Sequence, residues 1–190
     1  MKRPLLSCCL TALLLSLPVG CAKEENTYSN DYRVLFRFYS VYHPTSVLSR
    51  SVGNPGLFCL VKSDVRQGVT HLLVTSNDMK TTEDLPITVE VERRTIAAAY
   101  MGAGNALFIG CSQFDGPKAY DGQCPVCLRD KGGSQHPLKF VADGQTVECT
   151  QCGRHYNLKA EGAPSDDLPD GKNLLQYRIM NTAEYIEVHN

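Results

Sequence analysis

The chain has 190 residues, 43% of them hydrophobic and 21% charged, with a formal net charge of −1. That length is enough for one domain with a real core, and the near-neutral charge, with no basic run, excludes an electrostatic nucleic-acid binder. No internal repeat or long low-complexity tract is visible, and the composition is ordinary for a globular protein.

Residues 1–20 read as a secretory signal peptide. Lys2 and Arg3 give a positive start, and residues 5–17 form an apolar run too short to span a bilayer. Leu17-Pro18-Val19-Gly20-Cys21 resembles a bacterial lipobox, with Pro18 where Leu is usual; in a lipobox cleavage precedes the cysteine, and Cys21 would carry lipid. The alternative is an ordinary secretory signal with Cys21 as a bystander. Residues 21–31 then form a lipidated flexible tether. Within it, Ala22-Lys23-Glu24-Glu25 resembles an acidic tag that exports lipoproteins to the cell surface. These features predict a bacterial outer-membrane lipoprotein, periplasmic or surface-exposed. Its expected partners are the membrane, through the lipid anchor, and an unknown envelope protein or redox partner.

From Tyr32 the pattern is mostly β. Residues 32–39 are aromatic and β-branched with partial alternation and predict a strand. Residues 57–61 and 69–75 predict two more, joined by a polar segment, and residues 77–84 read as loop. Ile87-Thr88-Val89-Glu90-Val91-Glu92 alternates cleanly and predicts a half-exposed strand. Residues 95–101 predict one short helical turn, and Gly102-Ala103-Gly104-Asn105 a turn before the buried run 106–109. Residues 137–141 and 146–148 flank Asp143-Gly144, a hairpin signal because both central residues accept positive φ. That hairpin delivers Cys149 at a strand end. Residues 156–158 predict a short strand, 159–173 a long loop, and 174–180 and 183–189 two final strands. No stretch supports a long amphipathic helix. The expectation is an all-β domain over residues 32–190, with a metal-binding subdomain at about residues 117–165.

The nine cysteines carry the chemical signal. Cys8 and Cys9 leave with the signal peptide, and Cys21 takes the lipid. Cys124-Pro125-Val126-Cys127 and Cys149-Thr150-Gln151-Cys152 are two C-x-x-C pairs with 21 residues between them. Two residues between thiols let a tight turn aim both sulfurs at one point, and two such turns close four sulfurs around one metal. Disulfides in an exported protein are the alternative. Gly153 follows directly; lacking Cβ, it lets backbone N–H groups turn toward the sulfurs, as in metal knuckles. His136 and His155 stand at no ligand spacing and read as surface residues or as supports of the ligands. Cys59 and Cys111 lie in apolar runs and remain as a disulfide pair or as two buried thiols.

The C-terminal half resembles a Rieske domain. Rieske proteins carry a C-x-H box and a C-x-x-H-G box on two loops of a small all-β subdomain, with a Pro-containing loop over the cluster. Ala119-Tyr120-Asp121-Gly122-Gln123-Cys124-Pro125 is similar to the approach to the first box. Cys149-Thr150-Gln151-Cys152-Gly153-Arg154-His155-Tyr156-Asn157-Leu158 is similar to the second. Gly162-Ala163-Pro164, with Leu174, Tyr177 and Ile179, resembles the covering loop and closing strand. The likeness covers roughly residues 57–180, but Cys152 stands at one histidine position and the first box is C-x-x-C. The resemblance implies Rieske-like antiparallel β architecture with a rubredoxin- or zinc-ribbon-like subdomain. It also implies a [2Fe–2S] cluster on Cys124, Cys127, Cys149 and Cys152, at a potential below that of a His-ligated centre.

Four thiolates by themselves suit Zn²⁺, a single iron or [2Fe–2S]. Lys2-Arg3 is not a twin-arginine motif. The chain is therefore expected to cross the membrane unfolded and to take up zinc after export, whereas an iron–sulfur cluster is built before it. The expected function is a lipid-anchored, non-catalytic module with one structural zinc. Electron transfer on [2Fe–2S] or single iron is the alternative. Thiol–disulfide exchange at Cys-Pro-Val-Cys is a minor one, because Gly132-Gly133 soon breaks any helix that would activate the first thiol. No nucleophile elbow accompanies His71, Ser76 and Asp78, so no hydrolase is predicted.

Overall fold

The computed structural model describes residues 27–166, 168–169 and 171–190. The signal peptide, Cys21 and the tether through residue 26 lie outside the described residues. Strand β1 (Val34–Phe38) buries Val34, Phe36 and Phe38 and turns Leu35 and Arg37 outward, as the two-residue strand period requires. After a 3-10 turn (Ser40–Tyr42) comes α1 (Val47–Ser51), whose N-cap Ser46 accepts the Ser49 N–H at 3.0 Å. The chain continues through β2 (Phe58–Arg66), β3 (Val69–Ser76), β4 (Thr82–Pro86), α2 (Glu90–Ala97), β5 (Tyr100–Met101), β6 (Ala106–Ser112) and β7 (Gly116–Asp121). Then follow α3 (Pro125–Lys131), β8 (Leu138–Phe140), β9 (Thr146–Cys149), β10 (His155–Asn157), β11 (Ala163–Pro164), β12 (Gln176–Asn181) and β13 (Ile186–His189).

The fold is mostly β, and among the described residues every strand pairing is antiparallel. A nine-stranded sheet runs β4-β3-β2-β6-β7-β12-β13-β1-β5, and a four-stranded sheet runs β11-β10-β9-β8. Two cores result. One face of the large sheet, with α1 and α2, buries Phe36, Leu48, Leu72, Ile109, Tyr177 and Val188. The other face presents Phe58, Phe108 and Tyr120 to Phe140, Val147 and Tyr156 of the small sheet. Phe108 meets Phe140 edge-on, with centroids 5.0 Å apart. Strand β6 lies between the cores and is buried at all seven positions. That explains its unbroken apolar run, which reads as a strand covered on both faces.

Several local expectations change. The alternating segment at 87–92 is not a strand: Ile87 is buried, Val89 caps α2, and Glu90 pairs with Arg93 and Arg94 at helical spacing. Six alternating residues are too few to separate the two periods; Glu92 and Ile96, four apart, define the buried helical face. The segment read as a polar linker belongs to a long β2–β3 hairpin turning at Gln67-Gly68, both at positive φ. Residues 77–84 are not all loop, because β4 starts at Thr82, and α1 was not anticipated. The β8–β9 hairpin forms as expected, but only Gly144 takes positive φ. Asp143 instead accepts the N–H groups of Gln145 and Thr146, each at 2.8 Å. Residues 27–31, expected to be tether, dock on the domain, with the Ser29 N–H donating to Gln176 O at 2.8 Å. Cys59 and Cys111 are two buried free thiols rather than a disulfide. The Cys59 thiol points at Ser51 Oγ and Ile109 O, and burial pushes its pKa up to about 12.

Glu92 ties α2 to the segment after β1. Its carboxylate is 1% exposed and both oxygens lie 3.1 Å from His43 Nε2, while the His43 ring stacks on Phe38. Removing one partner of a buried pair strands the other. His43→Ala is expected to lower the unfolding free energy by about 3 kcal/mol in urea titrations. Adding Glu92→Met to that variant should recover part of the loss.

Candidate metal centre

Cys124, Cys127, Cys149 and Cys152 converge, with their four sulfurs all within 4.8 Å of one another. Each pair is delivered by a different local device. β7 ends at Asp121, Cys124 is the N-cap of α3, and Pro125 fills the first helical turn, where a missing N–H costs nothing. Cys127 follows on the first turn of α3. The second pair comes off the end of β9, where Cys149 closes the strand and the chain reverses through Thr150 and Gln151. Gly153 holds φ +70° and its N–H donates to Cys149 O at 2.9 Å. A Cβ there would meet nothing within 4 Å, so glycine is required by the backbone angle and not by crowding.

The sulfur geometry fits one ion. A tetrahedron with metal–sulfur bonds of about 2.3 Å has edges of about 3.8 Å. The separations Cys124–Cys152 and Cys127–Cys149 are both 3.8 Å. Backbone donors face the second pair: the Gln151 and Cys152 N–H groups point at Cys149 Sγ, the former at 3.4 Å, and the Arg154 N–H points at Cys152. Such donors stabilise thiolate charge.

Burial orders the thiols. Cys124, Cys127 and Cys149 are buried, and Cys152 alone among the four is exposed. Burial, reinforced by the neighbouring sulfurs, holds the Cys127 thiol far above its usual range. Burial also raises Cys149, to about 11, against the pull of the two backbone donors. At Cys152 burial acts upward, but the Arg154 N–H and the other three thiols as donors outweigh it, so its pKa is lowered. Cys152 is thus shifted in the direction opposite to Cys127 and Cys149. A bound cation would draw the thiol protons off.

The supports differ from those the sequence suggested. Tyr156, buried on β10, places its hydroxyl 3.2 Å from Cys124 Sγ, and burial, then that contact, raises its pKa. The alternation of β10 puts residue 156 inward, but only the pairing of β10 with β9 shows that inward is toward the sulfurs. Gly153 shapes the turn as expected. His155 instead turns to Asp166: its N–H donates to Oδ2 at 2.6 Å and its Nδ1 lies 3.3 Å from Oδ1. His136 holds the first loop together, with its N–H on Gln123 Oε1 at 2.7 Å and its carbonyl accepting the Cys124 N–H at 3.0 Å. Its Nε2 lies 2.8 Å from Gly132 O at the end of α3.

Asp121 anchors this loop to the large sheet. It is fully buried; Oδ2 accepts Tyr177 OH at 2.7 Å and Ala103 N–H at 2.8 Å, and Oδ1 accepts Gln123 N–H at 2.8 Å. Gly102 permits that approach, since a Cβ on it would fall 2.2 Å from Oδ2. Burial raises the Asp121 pKa, and the three donors pull back only part of the way.

The helix that the thiol–disulfide reading lacked is present, because α3 starts directly at Cys124. Gly132 and Gly133 end it only after Lys131. Both thiols of that pair are nevertheless buried, at 0% and 2% exposure, so the solvent-facing attacking thiol such exchange requires is not there. His71 pairs with Asp84 at 2.6 Å rather than with Ser76 or Asp78, and Asp84 is also held by Arg66. No family model, curated protein or solved structure matches the chain.

Two measurements probe the centre's supports. Gly153→Ala forces an L side chain into the left-handed region at a cost of about 1 kcal/mol, and metal affinity should fall roughly five- to tenfold in chelator competition. Asp121 has a folded pKa above its unfolded one, so its stabilising contribution is complete below the unfolded value, 3.8, and is lost as pH rises through the folded value. The stability of the wild-type chain relative to Asp121→Asn should therefore decline as pH rises through that window, read as the difference between paired urea titrations.

Proposed function

We propose that this chain is a lipid-anchored protein of the bacterial cell envelope, whose Rieske-like β domain carries one mononuclear zinc on Cys124, Cys127, Cys149 and Cys152. The observation that carries the reading is the sulfur quartet. Its 3.8 Å separations match one tetrahedral ion. A two-iron cluster would hold its thiolate pairs on separate irons, farther apart than one ion does, whereas all four sulfurs lie within 4.8 Å here.

Four thiolates complete a tetrahedral zinc and leave no open position, so the centre holds structure and performs no catalysis. Its task is to staple α3 to the β9–β10 turn, and so to stiffen a sheet whose strands are two to four residues long. The placement of the subdomain between β7 and β12 supports the Rieske-like reading, as does the pairing of Ala163-Pro164 with β10 beside the second cysteine loop. The signal peptide and Cys21 supply the envelope location, and the zinc is acquired after export.

Elemental analysis of purified protein should find one zinc per chain and no visible absorption, and cobalt exchange should give the spectrum of a tetrahedral thiolate site. Zinc at a thousandfold above Kd should add about 4 kcal/mol, raising Tm by about 10 °C for a domain of this size. Cys127→Ser should abolish most of that rise. Because ligation needs thiolates, zinc should leave as pH falls. Two irons with acid-labile sulfide, bleached by dithionite, would instead make the protein an electron carrier and overturn the zinc reading.

A further inference from the structure

The outward side of the nine-stranded sheet is only partly covered. The small sheet and the cysteine loops pack on Phe58, Leu60, Phe108 and Tyr120 of β2, β6 and β7. Beyond them, β12, β13, β1 and β5 present side chains to solvent. Register puts Tyr100, Leu35, His189 and Arg178 in one row across these four strands, and Arg37, Glu187 and Met180 in the next. Leu35, Tyr100 and Met180 are 44%, 47% and 40% exposed.

This face is cationic and amphipathic at once. Arg33 lies over the Tyr100 ring at 4.0 Å, Arg37 over Tyr185 at 4.5 Å and Arg178 over Tyr28 at 4.9 Å. Glu187 is the carboxylate in the two rows, and Arg37 holds it. Arginine and tyrosine keep an apolar body beside a polar tip, a combination suited to a headgroup boundary.

Tyr28 also marks where the chain joins the domain. Six peptide steps separate Cys21 from Thr27, at most about 20 Å of extended chain, whereas a compact domain of this size is about 40 Å across. With lipid on Cys21, so short a tether holds the face it leaves from nearest the bilayer. We infer that this open face docks on an anionic phospholipid surface. Arg33 and Arg178 would meet headgroup phosphates, and Leu35, Tyr100 and Met180 would reach the acyl boundary. The inference rests on the lipoprotein reading above.

The test uses the mature protein purified from the envelope in detergent. It is reconstituted into vesicles of phosphatidylethanolamine with phosphatidylglycerol, or of neutral phosphatidylcholine, and mapped by carbene footprinting with mass spectrometry. Labelling of Leu35, Tyr100 and Met180 should fall about threefold in the anionic vesicles relative to the neutral ones, while Val65 and Phe114, exposed elsewhere, stay unchanged. Arg33→Gln combined with Arg178→Gln should remove the difference. Equal labelling in both vesicles overturns the proposal, as does protection spread evenly to Val65 and Phe114. Protection already present in detergent would mean that a second copy or another protein covers the face, and also overturns it. The same spectra read the N-terminal peptide: an unacylated Cys21 would remove the lipoprotein reading itself, whereas an acylated Cys21 with an unprotected face would remove only the docking.

Discussion

Strand β6 has to be buried on both faces. Its residues alternate between two cores, with Leu107 and Ile109 on one side and Ala106 and Phe108 on the other. Such a strand cannot lie at the surface of a single-layer sheet. A second layer must cover Phe108 and its neighbours Phe58 and Tyr120, and the chain supplies one from the segment between β7 and β12. Everything distinctive about the protein follows from how that small layer is held in place.

The layer is too small to hold itself. Its strands are two to four residues long, and a sheet of that size gains little from burial alone. Phe140, Val147 and Tyr156 pack it against the large sheet, but its cysteine loops need a further restraint. The sulfur quartet is placed to supply it, joining the first turn of α3 to the turn after β9. Tyr156 serves both purposes, since its ring packs in the shared core while its hydroxyl reaches Cys124. On the large-sheet side, Asp121 performs the matching task by fixing the start of the cysteine loop to β12 and to the turn before β6. A carboxylate buried for this purpose costs stability as it ionises, and three donors are assembled around it to offset that cost.

Exposure divides the molecule by role. Three of the four cysteines are buried and one reaches solvent. The outward face of β12, β13, β1 and β5 follows the opposite rule: apolar and cationic groups stay exposed together, at the place where the N-terminal segment joins the domain.

Much of this was legible in the chain itself. Two residues between cysteines set a turn, and a turn is local, so the four ligands could be named before any tertiary contact was known. The β1, β3 and β8–β9 elements were legible for the same reason, because alternation and turn residues act over a few positions. The alternation at 87–92 is too short to distinguish a strand from the start of α2, and only the docking of Glu92 on His43 decides between them. The helix after Cys124 is not legible locally, because the glycines that follow end it after Lys131 rather than preventing it. Tyr156 and Asp121 could not be found in advance, since their partners lie 32 and 56 residues away in the chain. By itself, then, the sequence determined which sulfurs meet. Only the tertiary structure decided what surrounds them, which thiols are sealed from water and which sheet face stays open, because those depend on contacts between distant segments that no local pattern encodes.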